Sequence, residues 1–390
     1  MRMGSVFAAS ILISVMLGAC SDDESSSSHP STGGTGGAAG SGGSTTTGGA
    51  AGSGGTTTGG AAGTGGVAGG DGGIDLVARG KYIVDHVAAC VDCHTPRNSD
   101  GSLDMTKYLA GAQNFADLDP SDSTKGAVHT RNLTPDNTTG LGTWTDAEIK
   151  KAFLDGVDKD GKPLVPVMPY FVFHNMTAQD ADAIVAYLRS IPAIDNAIPE
   201  NQPLPFPFTQ PASPVPATAI PDTTLAASDA NYESAMRGKY LAGNIGICME
   251  CHTERTTTAV PLDVTKLFAG GEKFNAAELG LPVPPFPAEI VSRNITPHAN
   301  GIQGWTAQAV ADALKKGVDK DNIPLCPPMP AGAMQAFGGL TDQDALDIGN
   351  YVTTIPPIDN GVLPNCVPPS PPSDGGTSDA GTDAGDASTD

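Results

Sequence analysis

The residues best suited to chemistry fall in two short segments, Cys90-Val91-Asp92-Cys93-His94 and Cys248-Met249-Glu250-Cys251-His252. Each reads C-x-x-C-H, the attachment signature for c-type haem. On a helical turn, cysteines three apart point the same way, so both sulfurs can reach the two vinyl groups of one porphyrin. The adjacent histidine then sits under the iron as an axial ligand. A zinc knuckle would need a fourth ligand at regular spacing, and none is evident. Two covalently bound haem c groups are therefore expected, held by Cys90, Cys93 and His94 and by Cys248, Cys251 and His252.

An electron carrier needs the second axial position filled as well, and an internal repeat helps to choose the ligand. Arg79-Gly80-Lys81-Tyr82 precedes the first motif and Arg237-Gly238-Lys239-Tyr240 the second. Ala110-Gly111 is echoed by Ala269-Gly270, and Arg131-Asn132-Leu133-Thr134-Pro135 by Arg293-Asn294-Ile295-Thr296-Pro297. Trp144 matches Trp305, and each unit closes on Ile-Pro, at Ile191-Pro192 and Ile355-Pro356. When the units are superposed, Met168 and Met329 coincide, each within Pro-x-Met-Pro. Among histidines, His94 and His252 coincide. A proline-flanked loop can hold a thioether against iron at little ordering cost, although such a methionine can equally be core filler. Met168 and Met329 are the expected sixth ligands, a pairing that raises the reduction potential relative to two histidines. Arg131, Arg293, Trp144 and Trp305 are candidates to bond haem propionates. The alternatives are a surface ion pair for each arginine and a core position for each tryptophan.

Helices must position these groups. Residues 76–89 carry apolar side chains on one side and lead into the first cysteine. Thr145 followed by Glu148 forms a capping-box pattern for a helix ending near Gly156. Thr177 with Asp180, and Thr341 with Asp344, open the last helix of each unit. Gly80 and Gly238 would let the first helix cross the last closely, near Tyr187 and Tyr351. No convincing alternating strand pattern appears, so the fold class is all-α. The domains expected are residues 75–200 and 229–366, joined by a Pro/Ala-rich spacer at 201–228.

Composition agrees with this organisation. Aromatics are 5% of the 390 residues, while Gly numbers 49 and Pro 33. Much of the chain is linker, or loop folded around something other than its own core, and haem would supply the missing apolar bulk. The formal net charge of -22 argues against a nucleic-acid partner and suits a basic one, or simply solubility.

The start of the chain reads as an export signal. Arg2 is followed by an apolar run from Val6 to Leu17, too short to span a membrane. Leu17-Gly18-Ala19-Cys20 resembles the bacterial lipobox, in which the cysteine is lipidated; residues 1–20 are then a lipoprotein signal peptide. Acyl chains on Cys20 would anchor the protein to a membrane, facing the periplasm. Residues 21–73, rich in Gly, Ser and Thr, form a flexible tether of roughly 40 Å mean reach. The segment 367–390 is a tail expected to be disordered. Cys326 and Cys366 lack first-unit counterparts. In an exported protein they suggest a disulfide, with a Cys326 thiolate on the second iron as the rival.

With these residues in view, the chain resembles a tandem of class I cytochrome c domains. It is most similar to the haem domains of the cytochrome c subunits of bacterial membrane alcohol and gluconate dehydrogenases. The likeness rests on C-x-x-C-H-T, the Asn-(Leu/Ile)-Thr-Pro segment, the Gly-x-Trp segment and Pro-x-Met-Pro-Tyr at 166–170, and covers about two thirds of the chain. It implies a carrier without catalytic residues, passing electrons from a dehydrogenase donor to an oxidase or cytochrome acceptor. This chain has two units where that family has three, and its second unit reads Met-Pro-Ala in place of Met-Pro-Tyr. A dihaem peroxidase or thiosulfate-oxidising cytochrome is the enzymatic alternative, and a haem-containing sensor or structural lipoprotein is a third.

Overall fold

The computed structural model describes residues 74–99, 101–114, 116–117, 127–201, 210–256, 260–276, 286–329, 336–361 and 366. The expected signal peptide, Cys20, the tether and the segment 367–390 lie outside the described residues.

The first helix, α1 (Leu76–Tyr82), begins where the Asp75 carboxylate accepts from the Ala78 N–H at 3.0 Å. The expected single helix over 76–89 does not persist. After Tyr82 the turn widens to a π-helical segment, Ile83–Val87, marked by the Ala88 N–H donating to the Ile83 carbonyl at 2.8 Å. Ala89 then adopts a left-handed conformation, φ 51°, and α2 (Cys90–His94) starts. The widened turn and the left-handed residue together set the direction in which the cysteines leave the core. Such π turns occur frequently at functional sites.

Two helices pack behind this entry. α3 (Asp146–Asp155) has the full capping box between Thr145 and Glu148 and stops at Gly156, which is left-handed. After the short α4 (Tyr170–Phe173) comes α5 (Ala178–Ser190), capped by Thr177. α1 packs directly on α5. At the crossing, a Cβ on Gly80 would lie 1.9 Å from the Ala183 carbonyl oxygen, so only hydrogen fits. Ile83, Val84, Tyr170 and Phe171 are all at most 1% exposed and form the centre of this core.

The second half repeats these elements. α6 (Tyr232–Tyr240) runs into a π-helical segment, Leu241–Ile245, and then α7 (Cys248–Cys251). α8 (Ala307–Lys316) is capped by Thr306 and stops at Gly317; α9 (Asp342–Val352) is capped by Thr341 and packs on α6. A Cβ on Gly238 would again fall 1.9 Å from a carbonyl oxygen, that of Asp347.

Two expectations are corrected. First, the described residues include two antiparallel pairs: β1 (Ala116–Asp117) with β2 (Ala127–Val128), and β3 (Lys273–Asn275) with β4 (Glu289–Val291). Strands of two or three residues are too short to display an alternating pattern. Second, the spacer expected at 201–228 is more than a semi-rigid link over residues 210–228. Val215 and Ile220 are buried, the Val215 N–H donates to the Phe171 carbonyl at 2.9 Å, and the Thr224 N–H donates to the Thr354 carbonyl at 2.7 Å. The segment is packed against both halves. Among the described residues no helix is long and apolar enough to cross a membrane.

Candidate functional site

Cys90 and Cys93 sit one turn apart on α2, each half-buried and each a free thiol; Cys248, which is buried, and the half-buried Cys251 form the matching free pair on α7. Burial pushes the thiols of Cys90, Cys93 and Cys248 up to about 12 and that of Cys251 well above its ordinary value. Buried thiols in this state are poor thiolate donors to zinc. Among the described residues no group of three or more His, Cys, Asp or Glu side chains is assembled to hold a metal ion.

The histidines are held for a different task. His94 Nδ1 lies 2.8 Å from the Arg131 carbonyl oxygen, and His252 Nδ1 lies 2.7 Å from that of Arg293. A carbonyl only accepts, so Nδ1 carries the proton and Nε2 keeps its lone pair. Burial lowers both imidazole pKa values, which keeps the rings neutral at pH 7. A neutral imidazole with Nδ1 tied to a carbonyl is the usual geometry of a metal-ligating histidine.

The carbonyls are themselves fixed by the Arg-Asn-x-Thr-Pro segments. Asn132 Oδ1 accepts from both the N–H and the hydroxyl of Thr134, while its amide donates to the Ile194 carbonyl at 2.8 Å. Asn294 does the same with Thr296 and the Ile358 carbonyl. Each segment is thereby stitched to the chain that leaves the last helix. The threonine after each motif histidine is also engaged: Thr95 Oγ1 accepts from the Leu109 N–H, and Thr253 Oγ1 from that of Phe268. Gly111 and Gly270 follow, both at positive φ, and their N–H groups donate to the carbonyls of His94 and His252.

Met168 and Met329 occupy matching turns. The Met168 N–H donates to the Val165 carbonyl at 3.0 Å, and that of Met329 to the Cys326 carbonyl at 3.2 Å. Both side chains are partly buried against the core. Cys326 and Cys366 are joined as a disulfide with Cα atoms 6.3 Å apart, which leaves no Cys326 thiolate for the second iron.

The four propionate candidates are placed less uniformly. The Arg131 guanidinium donates to the carbonyls of Ile198 and Pro199 and pairs with Glu200. Arg293 is exposed. Trp144 and Trp305 are partly buried against the core in equivalent positions after Leu141 and Ile302.

The donor set therefore fits haem c: paired thiols on one turn, a neutral histidine with Nε2 unprotonated, and a methionine on a rigid turn in each half. Comparison with known proteins bears on the same residues. The cytochrome c family model matches residues 77–192. That stretch resembles a cytochrome c domain. It begins in α1 and ends just past α5, so it contains the first thiol pair, His94 and Met168. Among curated relatives, the fructose dehydrogenase cytochrome subunit of Gluconobacter japonicus is 29% identical over 72% of this chain and 52% of its own length. The cytochrome c subunit of a quinone alcohol dehydrogenase from Gluconacetobacter polyoxogenes is 30% identical over 73% of this chain and 56% of its own length. A dihaem c-type cytochrome of Cereibacter sphaeroides is 27% identical over 72% of this chain and 86% of its own length. The chain thus spans about half the length of the dehydrogenase subunits it matches.

One group of residues around the site carries no sequence signature. Arg255, four residues after Cys251, packs against the Met168 turn of the cytochrome c domain. Its first-half counterpart, Arg97, is exposed, and among the described residues its side chain bonds the local carbonyl of Gly101 at 3.2 Å. The one hint in sequence is the non-equivalence of Glu272 and Gln113 at matching repeat positions.

Proposed function

We propose that the protein is a dihaem c-type cytochrome, built as two tandem cytochrome c domains at 75–200 and 229–366, that relays electrons between redox partners. Haem supplies the one-electron couple when bound. Cys90, Cys93, His94 and Met168 would hold the first group, and Cys248, Cys251, His252 and Met329 the second. Two neutral histidines, each beside a thiol pair and each with Nδ1 committed to a carbonyl, carry this reading. The protein's work is to keep each sixth position closed and each ligand fixed, so that little moves when the charge changes.

The second attachment segment is linked to the first half, since Glu250 holds Arg255, which reaches the Pro166 carbonyl. The Cys93 thiol is raised by burial first, then by Asp92, and also by the Glu250 carboxylate of the second motif. Such proximity suits transfer between the halves. The names of the relatives favour a dehydrogenase as donor; the acceptor would be an oxidase or another cytochrome, with weak and small docking surfaces. Lipid on Cys20 would tether the protein to a membrane, facing the periplasm.

Purified protein should be red, with an intact mass exceeding that of the polypeptide by two haem groups. Colourless protein, or a mass increase for none, would reject the carrier. Cys20→Ser should move the protein from the membrane fraction to the soluble one; continued membrane association would count against the tether.

A further inference from the structure

We propose that Arg255, which belongs to the second half, is a positioning residue for Met168 in the first; this rests on Met168 being the sixth ligand. Arg255 Nη1 donates to the Pro166 carbonyl at 3.3 Å, two residues before Met168. The same guanidinium lies over the ring of Phe171, 5.9 Å from its centroid, three residues after Met168. Phe171 is fully buried. The turn that presents the thioether is thus gripped on both sides by one planar group.

Arg255 is anchored in its own half. Nη2 donates to Glu250, inside the second C-x-x-C-H, and Nε lies 3.4 Å from Glu272. The Arg255 N–H also donates to Glu272 Oε2 at 2.8 Å. A planar guanidinium can serve a carbonyl, an aromatic face and two carboxylates together; an ammonium cannot.

The two methionine turns are therefore secured by different means. Met329 lies three residues after Cys326, which the disulfide ties to Cys366. Val165 stands at the matching position before Met168, where no covalent tie is possible, and there the guanidinium of the other half takes hold. The pseudo-symmetry of the repeat is broken on both counts: among the described residues Arg97 makes no such reach, and Gln113 replaces the carboxylate that would draw it in.

The test uses the complete haem-loaded protein. In the reduced state each iron-bound methionine gives its own strongly upfield-shifted methyl resonance, and Met168→Ala identifies the first. Arg255→Gln should diminish or abolish the Met168 resonance and leave that of Met329 intact. In the oxidised state it should strengthen imidazole binding at one haem about tenfold, while Arg97→Gln changes neither readout. Arg255→Lys keeps the charge opposite Glu250 and Glu272 and serves if the glutamine variant does not fold; it should show the same selective loss. If Met168→Ala removes one resonance but Arg255→Gln and Arg255→Lys leave both at full intensity, the positioning role is overturned alone. Equal weakening of both resonances would overturn it too, as a general loss of packing. If Met168→Ala removes neither, the ligand reading fails and takes this role with it.

Discussion

Each motif histidine commits its Nδ1 proton to a backbone carbonyl, so with haem bound a thioether ligand would be the group that sets spin state and potential. Met168→Ala and Met329→Ala should each convert one haem to high spin in the oxidised protein and lower its potential, since His/Met ligation raises it. Unchanged absorption spectra would reject the ligand. Glu272 gives a second prediction. Burial is the main cause that lifts its carboxyl to about 6, with Arg255 opposing and Glu250 adding to the shift. One guanidinium faces two carboxylates and cannot neutralise both. A carboxyl whose pKa is higher folded than unfolded favours the fold in its protonated form. Its contribution is complete below the ordinary value of 4.5 and disappears as pH rises through about 6. The loss is at most about 2 kcal/mol. Glu272→Gln should therefore gain stability on the parent at pH 7 relative to pH 4, read from urea unfolding at both. Parallel pH profiles would sink this. The cysteines and histidines stand out as candidates because C-x-x-C-H has a fixed spacing, and the methionines because the repeat presents them twice. Arg255 was not legible, because its partners Pro166 and Phe171 are 89 and 84 positions away, and an arginine after a haem motif has no diagnostic neighbours.

Helix boundaries were read well wherever a side chain caps its own helix. Thr145, Thr177 and Thr341 each accept from an N–H three residues on, and that pattern is local. The change from α to π turns at Ile83 and Leu241 was missed, because it follows from how the entry helix meets the rest of the core. Crossing geometry offers the sharpest test at this scale. Gly80→Ala and Gly238→Ala place a methyl group where a carbonyl oxygen of the opposing helix already lies, at 1.9 Å in both cases. Neither α1 against α5 nor α6 against α9 can absorb that without separating. Each substitution should cost about 3 kcal/mol in chemical denaturation. No loss, or the gain of up to about 1 kcal/mol that alanine brings over glycine inside a helix, would show that the helices are not in contact there.

Across the whole molecule the two halves exchange equivalent bonds. The Tyr82 hydroxyl donates to Asp344 at 2.5 Å and accepts from the Thr341 N–H at 3.1 Å; that of Tyr240 donates to Asp180 at 2.7 Å and accepts from Thr177 at 3.1 Å. His86 and Asn244, at matching positions, reach the carbonyls of Ala336 and Asn175. Residues separated by 262 positions meet in the Tyr82 bond, which is why no sequence pattern announces it. The reciprocity is not complete, and the difference is testable. Asp180 also holds the Arg79 guanidinium through two bonds of 2.8 and 2.9 Å, whereas Arg237 turns to Asp347. Removing the Tyr240 hydroxyl leaves Asp180 paired. Removing that of Tyr82 takes from the buried Asp344 carboxylate the side-chain donor it has among the described residues. A hydrogen bond to a charged group contributes about 1.5–3 kcal/mol, and stranding a buried charge costs more than losing one of several donors. Tyr82→Phe should therefore destabilise the protein by about 3 kcal/mol and Tyr240→Phe by about 1 kcal/mol in urea unfolding. Equal losses, or the reverse order, would mean that Asp344 finds another donor and that the interface is as symmetric in energy as it is in outline.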